Sequence, residues 1–503
     1  MGTLSIVAWS VISIVSLIYI YFKKKYSFWK DRGVNYVEPT FPLGNLPSRK
    51  AHFKDFITNV YKYKNENPFV GAYIIAKPIV IPTSLDFVQN ILVKDFSNFH
   101  ERGAYSNEED DPLSAHMFNV DGEKWKLLRT KLSPTFTSGK MKFMFPTVVD
   151  VANRFNGSLA DIVKPGPGSE LEIRDLLARF TTDVIGSCAF GIECNSLKDP
   201  KSAFRFYGRK IFEDAPIGAG TLLLAFQYPD LARKLHITQT RKEVINFFMN
   251  TVRETIAYRE KNNVKRNDFM NFLIQLKNGE SIDDERSNQM RKLTMEEVAA
   301  QAFLFFAAGF ETSSTTMTYS LYELALNPEI QEKARQEIND VLANHEGELT
   351  YEAVQEMRYI DQIISEALRK YPPVVFLFRK AAQDYRIPNT KTIIEKGMEI
   401  MIPVYCIHHD PAIYPNPETF DPERFTPEQI RNRHPTSFLG FGDGPRNCVG
   451  LRFGRMQTRI GLITLLRNYR FKPSRKTAIP LIFDSELVIL TPKGGMYLEI
   501  ERI

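Results

Sequence analysis

The stretch that decides the fold is Phe-Gly-Asp-Gly-Pro-Arg-Asn-Cys-Val-Gly, residues 441–450 of a 503-residue chain. It places Cys448 in a loop rich in glycine and proline, directly before a run from Leu451 to about Leu466 that predicts a helix. The start of a helix presents free backbone N–H groups and the positive end of a dipole, and both favour a thiolate over a thiol. Glycines let the backbone approach a flat ligand closely, and Arg446 can pair with a carboxylate through two parallel hydrogen bonds.

The spacing of these residues separates a functional cysteine from an ordinary one, because a lone cysteine is usually a buried packing residue. Phe-x-x-Gly-x-Arg-x-Cys-x-Gly arises by chance in fewer than about one in ten thousand chains of this length. The pattern resembles the haem-binding signature of the cytochrome P450 family, in which the cysteine thiolate is the axial ligand of haem b (iron protoporphyrin IX). The resemblance implies these haem contacts in the loop: Phe441, Gly442, Arg446, Cys448 as the metal ligand, and Gly450.

Composition narrows the class of protein. The formal charge is 65 − 59 = +6, and 43% of the residues are hydrophobic. Such a modest charge argues against a nucleic-acid binder. The apolar content is sufficient for a large core and an apolar cavity. The chain has 4 cysteines, too few for a disulfide framework and without a Cys-x-x-Cys pair, which indicates a reducing compartment.

The N-terminal segment predicts a membrane anchor. No charged residue occurs from Leu4 to Phe22, which is long enough as a helix to cross a bilayer. Lys23, Lys24 and Lys25 follow, so the positive-inside rule places the rest of the chain in the cytosol. We therefore expect an anchor at 1–22, a stiff proline-containing linker at 23–48 that separates it from the globular part, and a catalytic domain at 49–503.

Further cations can bind the haem propionates. Trp125 and Arg129 lie one turn apart on a predicted helix and resemble the family's Trp-x-x-x-Arg element. By the same resemblance, Arg102 and Arg379 are expected to reach the propionates. A cation–π pair or the edge of a core is the structural alternative for Trp125 and Arg129.

The longest apolar helix is predicted from Thr294, which forms a capping box with Glu297, to Leu326 before Asn327-Pro328. Within it, Ala308-Gly-Phe-Glu-Thr312 resembles the family's oxygen-activation motif. Polar residues in so apolar a helix need partners or a purpose. The resemblance implies that Ala308 and Gly309 let the haem approach, and that Glu311 and Thr312 organise water and relay protons. The alternative is a threonine bonded to its own helix and a glutamate at a polar seam.

A structural ion network is expected behind the haem loop. Glu366 and Arg369 lie at i, i+3 on a predicted helix, and Pro-Glu-Arg424-Phe supplies a second guanidinium. By resemblance these three residues hold the fold and perform no chemistry.

Substrate contacts are expected from several separate segments. The acidic loop 103–120 resembles the family's cavity wall, and the aromatic region 204–231 resembles its lid. Short strands are expected near Val70–Ala76, Ile79–Ile81, Val374–Phe378, Val488–Leu490 and Gly494–Glu499. The expected pocket residues are His116, Phe118, Phe206, Phe305, Val374, Val375, Phe376 and Leu490.

The whole chain therefore resembles a microsomal cytochrome P450: a mainly α fold with a smaller β-rich part and one transmembrane helix. Phe28-Trp-Lys-Asp-Arg-Gly33 resembles insect families that metabolise plant toxins and insecticides. The resemblance implies monooxygenation of lipophilic substrates at the endoplasmic reticulum. Electrons would come from NADPH through a separate reductase, with cytochrome b5 as a second partner. The candidate docking residues are Lys131, Lys140, Lys142, Arg452 and Arg455.

Three other functions remain open from the sequence. A haem-thiolate isomerase or dehydratase would share the cysteine loop, although Glu311-Thr312 counts against it. A non-enzymatic haem sensor or carrier would not need that pair. A biosynthetic hydroxylase of steroid or terpenoid hormones would use the same machinery on another substrate.

Overall fold

The computed structural model describes residues 2–46, 52–164, 166, 168–213, 221, 225–279, 291–485, 487 and 489–503. Leu222–Leu224 of the expected lid and Val488 of the expected C-terminal ladder lie outside the described residues. The helices whose limits are described are α1 (Gly2–Tyr26), α2 (Phe28–Asp31), α3 (Phe53–Tyr61), α4 (Leu85–Gln89), α5 (Gly122–Leu132), α6 (Ser138–Ile162), α7 (Ile173–Ile185), α8 (Ala203–Glu213), α9 (Pro229–Lys234), α10 (Lys242–Asn262), α11 (Phe269–Asn278), α12 (Met295–Leu326), α13 (Pro328–Asn344), α14 (Tyr351–Glu356), α15 (Arg358–Lys370), α16 (Val404–His408), α17 (Pro427–Asn432) and α18 (Leu451–Asn468).

The strands are short and lie mostly towards the two ends of the chain. They are β1 (Phe69–Ile74), β2 (Lys77–Pro82), β3 (Ser169–Glu172), β4 (Leu377–Lys380), β5 (Tyr385–Arg386), β6 (Ile393–Ile394), β7 (Glu399–Ile402), β8 (Tyr469–Pro473) and β9 (Tyr497–Arg502). The prediction of a mainly helical protein with a small β component is confirmed.

The chain forms two compact units. The first, called the sheet unit, comprises residues 1–102, 374–415 and 434–446, and the second, called the helical unit, comprises 103–373, 416–433 and 447–503. The division falls within the 441–450 signature, so each unit contains part of it.

The sheet unit is built on a four-stranded sheet in the order β1-β2-β7-β4. β1 pairs with β2 in an antiparallel register, Phe69 opposite Pro82, and β2 runs parallel to β7. The side chains of β1 are all buried, which is why the strand is an apolar run instead of an alternating one. The strands predicted at Val70–Ala76 and Ile79–Ile81 are confirmed.

Helix α1 also belongs to the sheet unit. Its segment Ser5–Tyr26 has a mean hydropathy of 2.0 and none of it is buried, so it is long and apolar enough to cross a bilayer. The lysines at 23–25 lie in its last turn, where cations complement the helix dipole.

The segment after α1 packs on the sheet, which corrects the expectation of a linker that stands between anchor and domain. Trp29 is 0% exposed, and its indole N–H donates to the carbonyl of Ala72 at 3.1 Å. A Cβ on Gly71 would lie 2.7 Å from the Trp29 ring, so the strand is glycine where the indole crosses it. The backbone N–H of Tyr73 donates to Asn45 Oδ1 at 2.7 Å. Trp29 and Asn45 of this segment are therefore packed against or bonded to β1.

Helix α12 is the central element of the helical unit. Its 32 residues begin at the predicted capping box, since the Thr294 hydroxyl accepts from the Glu297 N–H and the Glu297 carboxylate accepts from the Thr294 N–H. It packs against α7, α18, α10 and α15. Pro328 begins α13 directly after its end.

The helical unit contains a three-stranded sheet in the order β3-β9-β8, which is antiparallel throughout. Two strand predictions need correction. The strand expected at Val374–Phe378 begins only at Leu377, in the sheet unit, and the C-terminal strand begins at Tyr497 instead of Gly494. Pro373 lies directly before the first of these segments and restricts where pairing can begin.

Candidate active site

Cys448 differs from the other three cysteines in its exposure. It is exposed, whereas Cys188, Cys194 and Cys406 are buried. Burial raises the pKa of the Cys406 thiol to about 12 and raises the pKa values of Cys188 and Cys194 as well, so these three remain thiols at physiological pH. Cys448 lies three residues before α18 and is the one positioned to act as a ligand.

Arg129 holds the residue that precedes this cysteine. From α5 it donates to the carbonyl of Asn447 at 3.0 Å and to the Asn447 side-chain oxygen at 2.7 Å. Burial lowers the pKa of Arg129, while the negative charge of Cys448 acts in the opposite direction. Trp125, one turn earlier, is buried with 6% exposure. Arg129 thus orients the cysteine loop, a contact that the sequence did not indicate because Asn447 is not a position of the motif.

The sheet unit contributes the first part of the signature, up to Arg446. Gly444 has φ +69°, and an added Cβ would lie 1.8 Å from the carbonyl oxygen of Leu92, so only glycine fits there. Arg446 is 3% exposed, and its carbonyl accepts a hydrogen bond from Arg102 Nη2 at 3.2 Å.

Arg379 is the third cation predicted in this unit. It lies on β4, is 2% exposed, and its Nη1 donates to the carbonyl of Phe378 at 2.8 Å. A buried guanidinium is costly unless acceptors surround it, and carboxylates are the acceptors it matches best. Arg379 and Arg446 have the chemistry that propionates require.

One narrow face of α12 is open, although most of the helix is buried. Ala308 is exposed, and Leu304 and Thr312, one turn before and one turn after it, are half-buried. The Thr312 hydroxyl donates to the carbonyl of Ala308 at 2.7 Å. This face, called the open face below, carries a small side chain at its centre and a hydroxyl beside it, so a flat apolar ligand can lie against it.

Glu311 points away from the open face. It is 5% exposed, and its carboxylate accepts a hydrogen bond from Arg174 Nη2 on α7 at 2.8 Å. The Glu311 carboxylate is thus bonded to α7, whereas the Thr312 hydroxyl donates within its own helix. The sequence did not single out Arg174 as the partner of this acid, and the expected joint role of Glu311 and Thr312 in proton relay stays a prediction.

Gly309 is also needed for the packing of α12. A Cβ at this position would lie 2.4 Å from Ile185 Cδ1, so glycine permits the close approach of α12 to α7. Gly309 is half-buried, as Leu304 and Thr312 are, and its role towards the haem stays a prediction.

The ion network expected behind the loop is present. Glu366 and Arg369 are both 0% exposed and share two hydrogen bonds of 2.7 Å. Arg424 Nε lies 3.5 Å from Glu366 Oε1. Burial raises the pKa of Glu366, and the hydrogen bond from Arg369 opposes that shift. Arg369 also donates to the carbonyl of Pro417 at 2.8 Å, so the network ties α15 to the segment around 417–424.

The expected pocket residues of the helical unit have different surroundings. His116 stacks on Phe303 of α12 with ring centroids 6.3 Å apart, and Phe118 is 41% exposed. Phe305 packs between the rings of Phe136 and Phe269, which directs it away from the open face.

Two more expected pocket residues, one exposed and one buried, lie in the helical unit. Phe206 is 47% exposed on α8, and its assignment to the pocket stays a prediction. Leu490 is fully buried, and its carbonyl accepts from the Tyr319 hydroxyl at 2.9 Å.

The remaining expected pocket residues lie in the sheet unit. Val374 is 45% exposed, Val375 is buried, and Phe376 contacts Phe53 with ring centroids 5.0 Å apart. Val375 is therefore a core residue of its unit, which corrects its assignment to a cavity surface.

The residues of the helical unit fit a flat ring whose metal binds a thiolate: Cys448 is an exposed sulfur ligand three residues before α18, and Ala308 leaves a small apolar surface. In the sheet unit, Arg379 and Arg446 are buried cations that match carboxylates. A donor set of one thiolate defines the class of haem-thiolate proteins.

The comparisons with known proteins agree with this class. The family model described as Cytochrome P450 matches residues 37–499. The chain is 47% identical to "Probable cytochrome P450 6a14" of Drosophila melanogaster over 97% of this chain and 98% of that protein, and 47% identical to "Cytochrome P450 6a2" of the same insect over 98% and 99%. The chain belongs to the cytochrome P450 family, whose members bind haem b through a cysteine thiolate.

Proposed function

We propose that this cytochrome P450 oxidises lipophilic small molecules, with plant toxins and insecticides as its substrate class, in the membrane of the endoplasmic reticulum. The observation that carries the monooxygenase reaction is the placement of Cys448 as the exposed cysteine, three residues before α18. When bound, haem supplies the activation of O₂, with transfer of one oxygen atom to the substrate and release of the other as water.

The residues of this chain bind and orient the reactants. Cys448 provides the sulfur ligand, and Arg129 fixes the loop by its two bonds to Asn447. The Thr312 hydroxyl donates to the Ala308 carbonyl, so its oxygen can still accept a hydrogen bond from water and place that water at the open face. Glu311, held by Arg174, contributes negative charge to the same turn of α12.

Electrons reach the site, in this proposal, from NADPH through a separate reductase, with cytochrome b5 as a second donor. Among the candidate docking residues, Lys140, Lys142 and Arg452 are exposed, whereas Lys131 is 3% exposed and cannot contact a partner directly. Arg455 is paired with Asp361 at 2.6 Å. Lys142 is likewise paired with Glu352 at 2.5 Å, so the proposed docking rests on Lys140 and Arg452.

The reaction is tested with the purified full-length chain, loaded with haem, in phospholipid vesicles with reductase and NADPH. We expect the reduced, carbon monoxide-bound protein to show the absorption band typical of thiolate ligation, and Cys448→Ser to lose it. A panel of lipophilic toxins, insecticides and hormone-like terpenoids should give NADPH-dependent products. Product formed without NADPH would contradict the reaction, and turnover restricted to hormone-like compounds would contradict the substrate class.

A further inference from the structure

Gln457 is a polar side chain with no part in the haem signature. It lies on α18, nine residues after Cys448, and is 0% exposed. Burial of an amide is unfavourable unless its donors find acceptors, so the partners of Gln457 show what the position requires.

Those partners belong to the oxygen-activation segment. Gln457 Nε2 donates to the carbonyl of Gly309 at 2.7 Å and also to the Ser313 hydroxyl. A carbonyl can only accept, so the amide group must present its nitrogen to Gly309. The helix that follows the cysteine is thereby bonded to the backbone of α12 beside Ala308 and Thr312.

Gly309 is held from two directions. On its Cα side Ile185 of α7 leaves no space for a side chain, and at its carbonyl the amide of Gln457 donates from α18. The Ala308 carbonyl, one residue earlier, accepts from Thr312. A shift of α12 along its axis would therefore change two things together: the hydrogen bond between Gln457 and the Gly309 carbonyl, and the position of Thr312 relative to α18.

We propose that Gln457 is a positioning residue that fixes the open face of α12 relative to the helix behind Cys448. The inference rests on the proposed monooxygenase function. The quantity it determines is the coupling, meaning the fraction of consumed NADPH that appears as oxidised product. Because a misplacement of about 1 Å can change a rate by about 10²-fold, one hydrogen bond at this point can alter coupling without unfolding the protein.

The first test compares Gln457→Leu with Gln331→Leu. Gln331 is a matched control, since it is 2% exposed and its Nε2 also donates to two carbonyls, those of Leu324 and Phe471, each at 2.9 Å. We expect Gln457→Leu to lower coupling by about two- to tenfold, the equivalent of one net hydrogen bond, with an unchanged KM. Gln331→Leu should lower the melting temperature and leave coupling unchanged.

The second test is Gln457→Glu, which also applies if the leucine variant fails to fold. Burial raises the pKa of the introduced carboxyl, and below that pKa its O–H can donate to the Gly309 carbonyl. Coupling of this variant, relative to wild type, should therefore improve as the pH falls, whereas Gln457→Leu should show no such recovery.

A readout independent of turnover is hydrogen exchange of the backbone amides at 309–313 in the haem-loaded protein. It should accelerate in Gln457→Leu and not in Gln331→Leu. The inference would be overturned if Gln457→Leu kept the coupling of the wild type, or if the two leucine variants lost coupling equally. If wild type itself gave no NADPH-dependent product, the proposed function would fail instead. The exchange result would still report on the hydrogen bond between Gln457 and Gly309.

Discussion

Arg174 of α7 and Glu311 of α12 form an ion pair with 2.8 Å between Nη2 and Oε1. The Glu311 side chain is 7% exposed and that of Arg174 is 21% exposed, so the pair is mostly removed from solvent. The acid that directly precedes Thr312 in sequence is thus bonded to a neighbouring helix.

Removal of Arg174 should destabilise the protein through the charge it leaves behind. We expect Arg174→Ala to lower the free energy of unfolding by about 1–3 kcal/mol, because a buried carboxylate loses its donor. Adding Glu311→Gln should restore part of that loss in a thermal unfolding experiment. Arg179→Ala is the control, since Asp175 keeps a second partner in Arg205. A double variant less stable than the single one would contradict this account.

The buried network should be far more sensitive than a surface pair. Glu366→Ala leaves Arg369 unpaired in the interior and should cost about 3–5 kcal/mol, with loss of haem incorporation seen in the absorption spectrum. Glu423→Gln removes a pair with Lys333 in which both side chains are about half exposed, and should cost about 1 kcal/mol or less. A normal haem spectrum in Glu366→Ala would show that the network is dispensable.

A side chain at Gly444 should prevent the 441–450 loop from adopting its observed conformation. Gly444→Ala combines a positive φ with a clash against the Leu92 carbonyl. Gly33, with φ +62° and open space around it, is the matched control that isolates the backbone strain of about 1–2 kcal/mol. We expect Gly33→Ala to retain haem and Gly444→Ala to lose it. Equal haem content and melting temperature in both would rule out the clash.

The start of α12 should be sensitive to acid. Burial alone would raise the pKa of Glu297, but hydrogen bonds from Arg291 and the Thr294 N–H outweigh it and hold the pKa below its ordinary value. The carboxylate therefore stabilises the fold above its unfolded pKa of about 4.3, and this contribution is lost as the pH falls through the folded pKa. The difference in unfolding free energy between wild type and Glu297→Gln should be constant from about pH 7 to about pH 5 and should shrink as the pH falls below about 4, as denaturant titrations can measure. A difference independent of pH would exclude the ionised group.

Reductase docking should depend on exposed cations. We expect Lys140→Glu and Arg452→Glu to raise the apparent KM for reductase by about tenfold at low salt, because an acidic partner is attracted before contact. The effect should shrink as ionic strength rises. Turnover driven by a peroxide, which needs no reductase, serves as the control and should stay at the wild-type level. A salt-independent effect would indicate damage to the fold.

Local signals in the sequence were reliable guides. The capping box at Thr294 and Glu297 involves residues three positions apart, and both of its hydrogen bonds are present. The i, i+3 pair of Glu366 and Arg369 is likewise present. Such features depend on helix geometry alone, which is why they can be predicted without knowledge of distant contacts.

Errors arose where the outcome depended on residues far away in the chain. The packing of Gly309 against Ile185 was not predicted, because Ile185 lies on α7, more than a hundred residues earlier in the chain. Lys131 was assigned to a docking surface but is 3% exposed, and the segment after the anchor packs under β1 through Trp29.

The chain's sequence alone determined the family, the exposed cysteine of the 441–450 motif and the long central helix, because a short motif and the pattern of apolar residues are properties of neighbouring positions. Tertiary structure alone decided which groups of other elements the polar atoms of that helix contact: the Glu311 carboxylate accepts from Arg174, and the Gly309 carbonyl accepts from Gln457. The reason is that a buried polar group takes its partner from whichever element packs beside it, and no local pattern specifies that neighbour.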